Sequence, residues 1–173
     1  MKMRVRACLK GCLFLLLPLL GPSPAGAADS VTGKLVVGGK AVDLTHVYAY
    51  MDKTGNEGKD AVVVVLADAA IPPEAVQDEY ARNKLVTAGT LHYVELLLVS
   101  GKQVHYEVQH QRFGMMMQPS GDDGEHLLEG SATDGKSVSG RAHTTASTLK
   151  SLDDVPYSYD ATFSATVAPQ KQK

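Results

Sequence analysis

Tyr157-Ser-Tyr-Asp-Ala-Thr-Phe-Ser-Ala-Thr-Val167 is the stretch that decides the fold class. Tyr157, Tyr159, Ala161, Phe163, Ala165 and Val167 share one parity, and Ser158, Asp160, Thr162, Ser164 and Thr166 share the other. Successive side chains of a strand point to opposite faces, so this alternation is a strand with one face in a core and one towards water. Upstream, Thr32–Val37 is a short strand, and Gly38-Gly39 tolerates the positive φ that a two-residue hairpin asks of both central residues. Lys40–Met51 continues as strand, but its apolar parity changes at Thr45-His46, the mark of a bulge or a change of face. Ala61-Val-Val-Val-Val-Leu-Ala67 is a continuous apolar run, as in a strand buried on both faces. Thr90–Ser100 and Gln103–Arg112 read as a hairpin about Gly101-Lys102, and His126–Thr133 and Lys136–Thr145 as another about Asp134-Gly135.

One helix interrupts the strands. Pro72 and Pro73 suit its first turn, Glu74, Asp78 and Glu79 its amino end, Arg82 and Lys84 its carboxyl end, and Gly89 stops it. Ala75, Val76, Tyr80 and Leu85 form its apolar stripe. The expected architecture is mainly β: an antiparallel sandwich or small barrel of about eight strands, with the helix between the third and fourth.

The amino terminus has a different character. Lys2, Arg4, Arg6 and Lys10 precede an apolar run from Cys12 to Leu20, and Ala25-Gly26-Ala27 follows as an A-x-A cleavage site. These are the three parts of a secretory signal peptide over residues 1–27, which leaves a single domain over 28–173. The apolar run is too short to span a hydrocarbon core of roughly 30 Å. Cys8 and Cys12 are the two cysteines and both lie in the signal, so the mature domain depends on its core rather than on disulfides. Removing the four basic residues of the signal from seventeen leaves thirteen against nineteen acidic ones, a charge of −6. That balance argues against nucleic acid as a partner, and no later stretch is long and apolar enough to span a membrane.

Gly33-Lys-Leu-Val-Val-Gly-Gly-Lys-Ala-Val-Asp-Leu-Thr-His-Val-Tyr-Ala49, Leu91-His-Tyr-Val-Glu95 and Tyr159-Asp-Ala-Thr-Phe-Ser-Ala165 together resemble a loose group of uncharacterised exported bacterial β proteins. The resemblance touches most of the mature chain. It implies a bacterial setting, periplasmic or secreted, and transfers no activity and no residue roles.

Chemistry is sparse. If Ser100 pairs with Gln103, Tyr93 faces His110 and Glu95 faces Val108 on an inward face, which brings Glu95 and His110 within diagonal reach. A carboxylate near an imidazole in a low-dielectric site is a ligand clamp, an acid–base pair or a buried structural pair. Tyr93, Glu95 and His110 are therefore the candidate ligand-binding residues. The six histidines show no H-x-x-x-H spacing. Met115-Met116-Met117 admits either a soft copper ligand set or adaptable packing, and Asp122-Asp123 with Glu125 lacks the spacing of a calcium loop. With no G-x-S-x-G elbow, no catalytic residue, metal or cofactor is assigned. The expected function is a non-enzymatic exported module that binds a small ligand or an envelope protein. The alternative is a hydrolase or isomerase using Glu95 and His110. Intact mass of the exported protein should place its first residue at Ala28 or Asp29; a mature form that retains residues 1–27 would contradict the reading of the amino terminus.

Overall fold

A computed structural model describes residues 29–52, 61–113, 124–151 and 153–171. The expected signal peptide, Met115–Met117 and Asp122-Asp123 lie outside these residues. Ten strands and one helix follow in the order β1 (Ser30–Val37), β2 (Lys40–Leu44), β3 (His46–Asp52), β4 (Ala61–Ala67), α1 (Glu79–Thr87), β5 (Tyr93–Val99), β6 (Lys102–Gln109), β7 (His126–Thr133), β8 (Ser137–Thr144), β9 (Leu149–Lys150) and β10 (Pro156–Ala168).

β10 uses both of its edges. On one it runs antiparallel to β1, from Tyr157 opposite Val37 to Ser164 opposite Ser30. On the other it runs antiparallel to β8, from Asp160 opposite His143 to Thr166 opposite Ser137, and to the short β9. Beyond the end of β1, Val167 and Ala168 pair in parallel with Ala49 and Tyr50 of β3. One arm is therefore β2-β1-β10-β8-β7, and the other runs from the end of β10 through β3-β4-β5-β6.

The inner faces of the two arms line one core. Leu35, Val37, Tyr157, Tyr159, Ala161 and Phe163 meet Val64, Leu66, Val94, Leu96 and Val108 there. The alternation of β10 holds throughout, with Tyr157 to Ala165 buried at every odd position and Val167 packed at the margin. The outer face of the second arm is covered by α1 and the turn before it, through Ile71, Ala75 and Val86. β4 lies between the two layers. Val62, Val64 and Leu66 enter the main core, Val63, Val65 and Ala67 enter the layer beneath α1, and all seven residues of the strand are buried.

The sheet does not close, so the barrel alternative is corrected: β6 and β7 are not hydrogen-bonded neighbours. Side chains bridge the gap instead, with the Tyr106 and His126 rings stacked and Ser131 Oγ donating to the Gly101 carbonyl at 2.8 Å. The strand count and the place of the helix are corrected too. Lys40–Met51 is two strands rather than one, because Thr45 leaves the β1–β2 ladder and its N–H donates to Ala67 O at 2.9 Å. β2 thus stays on β1 while β3 crosses to β4, and the helix follows the fourth strand. It also starts later than its prolines suggest. Residues 72–78 form successive turns, from Ala75 N–H to Pro72 O and from Asp78 N–H to Ala75 O. The Asp78 carboxylate then caps α1 by accepting from Ala81 N–H. Thr90 N–H to Leu85 O and Gly89 N–H to Val86 O close it as a Schellman motif. That phasing turns Arg82 and Val86 to the sheet and leaves Tyr80 exposed beside Lys84.

Phe163 is 3% exposed and Thr162, on the opposite face, is exposed. Phe163→Ala should lower unfolding free energy by about 3–5 kcal/mol in denaturant titration, and Thr162→Ala by under about 0.5 kcal/mol. Equal losses would show that both faces of β10 are core.

Candidate functional site

The β5–β6 turn decides which polar side chains meet. Ser100 and Gly101, with φ of 53° and 74°, are its two central residues, so Val99 faces Lys102. The ladder then slips between Leu97 and Leu98, where β6 carries one extra residue. Beyond the slip Tyr93 faces Gln109, Glu95 faces Glu107 and Leu97 faces His105. Relative to the expected register this is a shift of one residue, and a one-residue shift sends a strand's side chains to the other face.

The consequence for the candidate residues is direct. Tyr93 and Glu95 lie on the face beneath α1, with Glu107 and Gln109 opposite them. His110 lies beyond β6 and stacks on His92, two residues before Val94 on the core-side parity, with ring centroids 4.3 Å apart. The expected Glu95–His110 pair is therefore not formed, and the three residues do not converge on one site.

Beneath α1 the partner of Glu95 is Arg82, whose Nη2 donates to Glu95 Oε2. Arg82 is 1% exposed, although it is an arginine in a nine-residue helix. Its Nη1 donates to Val76 O and to the Tyr50 hydroxyl, and its guanidinium lies 5.4 Å from the Tyr93 ring centre. The Tyr93 hydroxyl donates to Asn83 Oδ1 at 3.2 Å. Glu107 and Gln109 are both buried, and the Gln109 amide donates to the Glu107 carboxyl. Burial raises the Glu95 carboxyl above its ordinary range, with the Arg82 charge working against it. Burial and then the Glu95 charge push Glu107 up to about 7. Burial and Glu95 likewise push the Tyr50 hydroxyl up to about 12.

A second cluster sits where β4 ends and β5 begins. The Asp68 carboxylate accepts from His92 N–H at 2.8 Å and from His92 Nδ1 at 2.6 Å, which leaves the ring lone pair of neutral His92 on Nε2. His110 Nδ1 accepts from Arg112 N–H at 3.0 Å, so neutral His110 carries its proton on Nε2. Burial, then the neighbouring His92 and Arg112, push His110 down to about 4. His126, a third buried histidine, lies between the hydroxyls of Tyr159 at 2.9 Å and Tyr157 at 3.1 Å.

Sequence reasoning missed Arg82, Asp68 and Glu107. Glu107 and Gln109 share a face with His105, as their spacing requires, and both are buried. Among the described residues no group of three or more His, Cys, Asp or Glu is placed to hold a metal ion. Two open recesses, of about 220 and 230 Å³, lie beside Thr45, His46 and Tyr48 and beside Lys34, Thr144, Ser158 and Asp160. Neither is lined by a residue of the two clusters, although Thr45 at the first recess donates from Oγ1 to Asp68 O at 3.2 Å. Compared with protein-family models, curated proteins and solved structures, the chain has no match in any of the three.

The low His110 value has a definite sign. The folded state keeps the ring neutral while an unfolded histidine takes a proton near pH 6.5, so this stability is full above about 6.5 and is lost as pH falls towards 4. Denaturant titrations at about pH 7 and about pH 4.5 should show His110→Gln losing less stability on acidification than wild type, by on the order of 2–3 kcal/mol. An equal acid loss in both would place the shifted group elsewhere.

Proposed function

We propose that the chain is an exported bacterial envelope protein that acts without catalysis, as a module engaging a protein partner through its surface. The observation that carries this reading is the closure of its chemistry. Glu95, Glu107, Tyr93, His92 and His110 are tied to intramolecular partners, while the two open recesses described above are lined by none of them. Small-ligand sites are enclosures of about 300–1,000 Å³ with a few convergent polar groups, which favours a protein partner over a small ligand. A hydrolase or isomerase reading has no Glu95–His110 pair to work with.

Export is supported by the basic start, apolar run and A-x-A site of residues 1–27. The bacterial setting rests on the resemblance already described. The surface we assign is the outward face of β1, β10 and β8. Across it Thr32 faces Thr162, which faces Arg141, and Lys34 faces Asp160, which faces His143. Arg141 is held there by donating from Nε and Nη2 to the Asp160 carboxylate, at 2.9 and 2.8 Å.

A photo-crosslinking residue at Thr162, in cells exporting the full chain, should yield one discrete adduct with a protein. The same residue at buried Ala161 should not, and Arg141→Glu should reduce the Thr162 adduct. The reading fails if Thr162 gives no adduct or if Arg141→Glu leaves it unchanged.

A further inference from the structure

The layer beneath α1 holds the buried carboxyl group of Glu107, the partly buried one of Glu95 and the Arg82 guanidinium. Glu95 and Glu107 stand directly opposite each other across β5 and β6. Facing residues of an antiparallel pair have Cβ atoms about 4.5–5.5 Å apart and project to the same side. Arg82 is already committed to Glu95, to Val76 O and to the Tyr50 hydroxyl. Glu107 is 3% exposed, its hydrogen-bond partner among the described residues is Gln109, and no described cation forms an ion pair with it. The groups that act on Glu107 are Glu95 and Tyr93 from β5, Gln109 from β6, and Arg82 and Glu79 from α1. Arg82 is the positive one, and Glu95 and Glu79 are negative. Two facing carboxylates, one buried and one partly so, with a single countercharge between them do not both ionise freely, and the proton rests on the one without the guanidinium.

The hold of α1 on the sheet is narrow. The helix is nine residues long and its buried side chains are Arg82 and Val86. We propose that Glu107 is a proton-operated latch: when neutral it leaves Arg82 to hold Glu95 and so keeps α1 on the sheet, and when ionised it competes for Arg82 and loosens α1. The sign follows from the geometry. The closed layer binds a proton that an opened, hydrated Glu107 gives up, so closure is favoured at low pH and weakens as pH rises. Closure weakens from the ordinary glutamate range upward, and burial and Glu95 set the upper end of the change at about pH 7.

Trypsin reads the latch, because α1 contains Arg82 and Lys84 and a helix is cut only when it opens. Cleavage after these residues is followed in the exported, processed protein for wild type and Glu107→Gln. The variant fixes the site neutral and cancels the pH dependence of the protease. The ratio of wild-type to variant cleavage rates should already exceed one at about pH 6, where a hydrated glutamate is ionised, and should rise roughly tenfold further before levelling off by about pH 8.5. A ratio that stays flat overturns the proposal. Should Glu107→Gln not fold, the carboxyl ¹³C signals of wild type decide the matter. A Glu107 signal that titrates between about pH 6 and 8 in step with cleavage upholds the latch, and one that titrates below about pH 5 removes it.

Discussion

The structure depends on the two hydrogen-bonding edges of β10. A strand has one row of N–H and C=O groups on each edge, and β10 spends one row on β8 and β9 and divides the other between β1 and β3. That division joins the two arms. β10 contributes Tyr157, Tyr159, Ala161, Phe163 and Ala165 to the core at the same time, so its inward face and its edges are fixed together. Both cysteines, Cys8 and Cys12, lie outside the described residues, so no disulfide ties the arms together among those residues. Backbone pairing and apolar burial along one strand do that work.

Burial then decides the chemistry. The second arm is covered on both faces, so each charged residue there needs an internal partner or a proton. Glu95 has Arg82, His92 has Asp68, and Glu107 has the Gln109 amide and a carboxyl raised by burial. Such groups are perturbed as strongly as catalytic ones, yet they are perturbed by the layer that shuts them in. The first arm has one covered face and one open one. Its open face carries the Lys34–Asp43, Arg141–Asp160 and Arg141–Glu129 pairs. Surface recognition fits that division of labour.

Much of the fold was legible in the sequence. The alternation of Tyr157–Val167, the continuous run Ala61–Ala67 and the Gly38-Gly39 turn all read correctly, because each reports a local periodicity or a local φ requirement. The parity change at Thr45 was visible as well, but not that it sends the chain from one arm to the other. The candidate site was lost to a single residue. Ser100-Gly101 and Gly101-Lys102 both have turn composition, and the true turn with the slip near Leu97 reverses the face on which Tyr93 and Glu95 meet β6. Local chemistry does not choose between those registers; the tertiary core does, by taking Tyr106 and Val108 inward. Arg82 was illegible for a related reason. Helix phasing was set by the Asp78 cap rather than by Pro72 and Pro73, and only that phasing turns an arginine under the helix.

The claim that β10 joins the arms is tested most directly by native-state hydrogen exchange of its amides. Residues 159–165 should open only with the whole domain, at a free energy equal to the global value from denaturant, while the β5–β6 and β7–β8 hairpins open at or below it. Exchange of these β10 amides at a free energy well below that of β4 would mean that the arms are held together by something other than the shared strand.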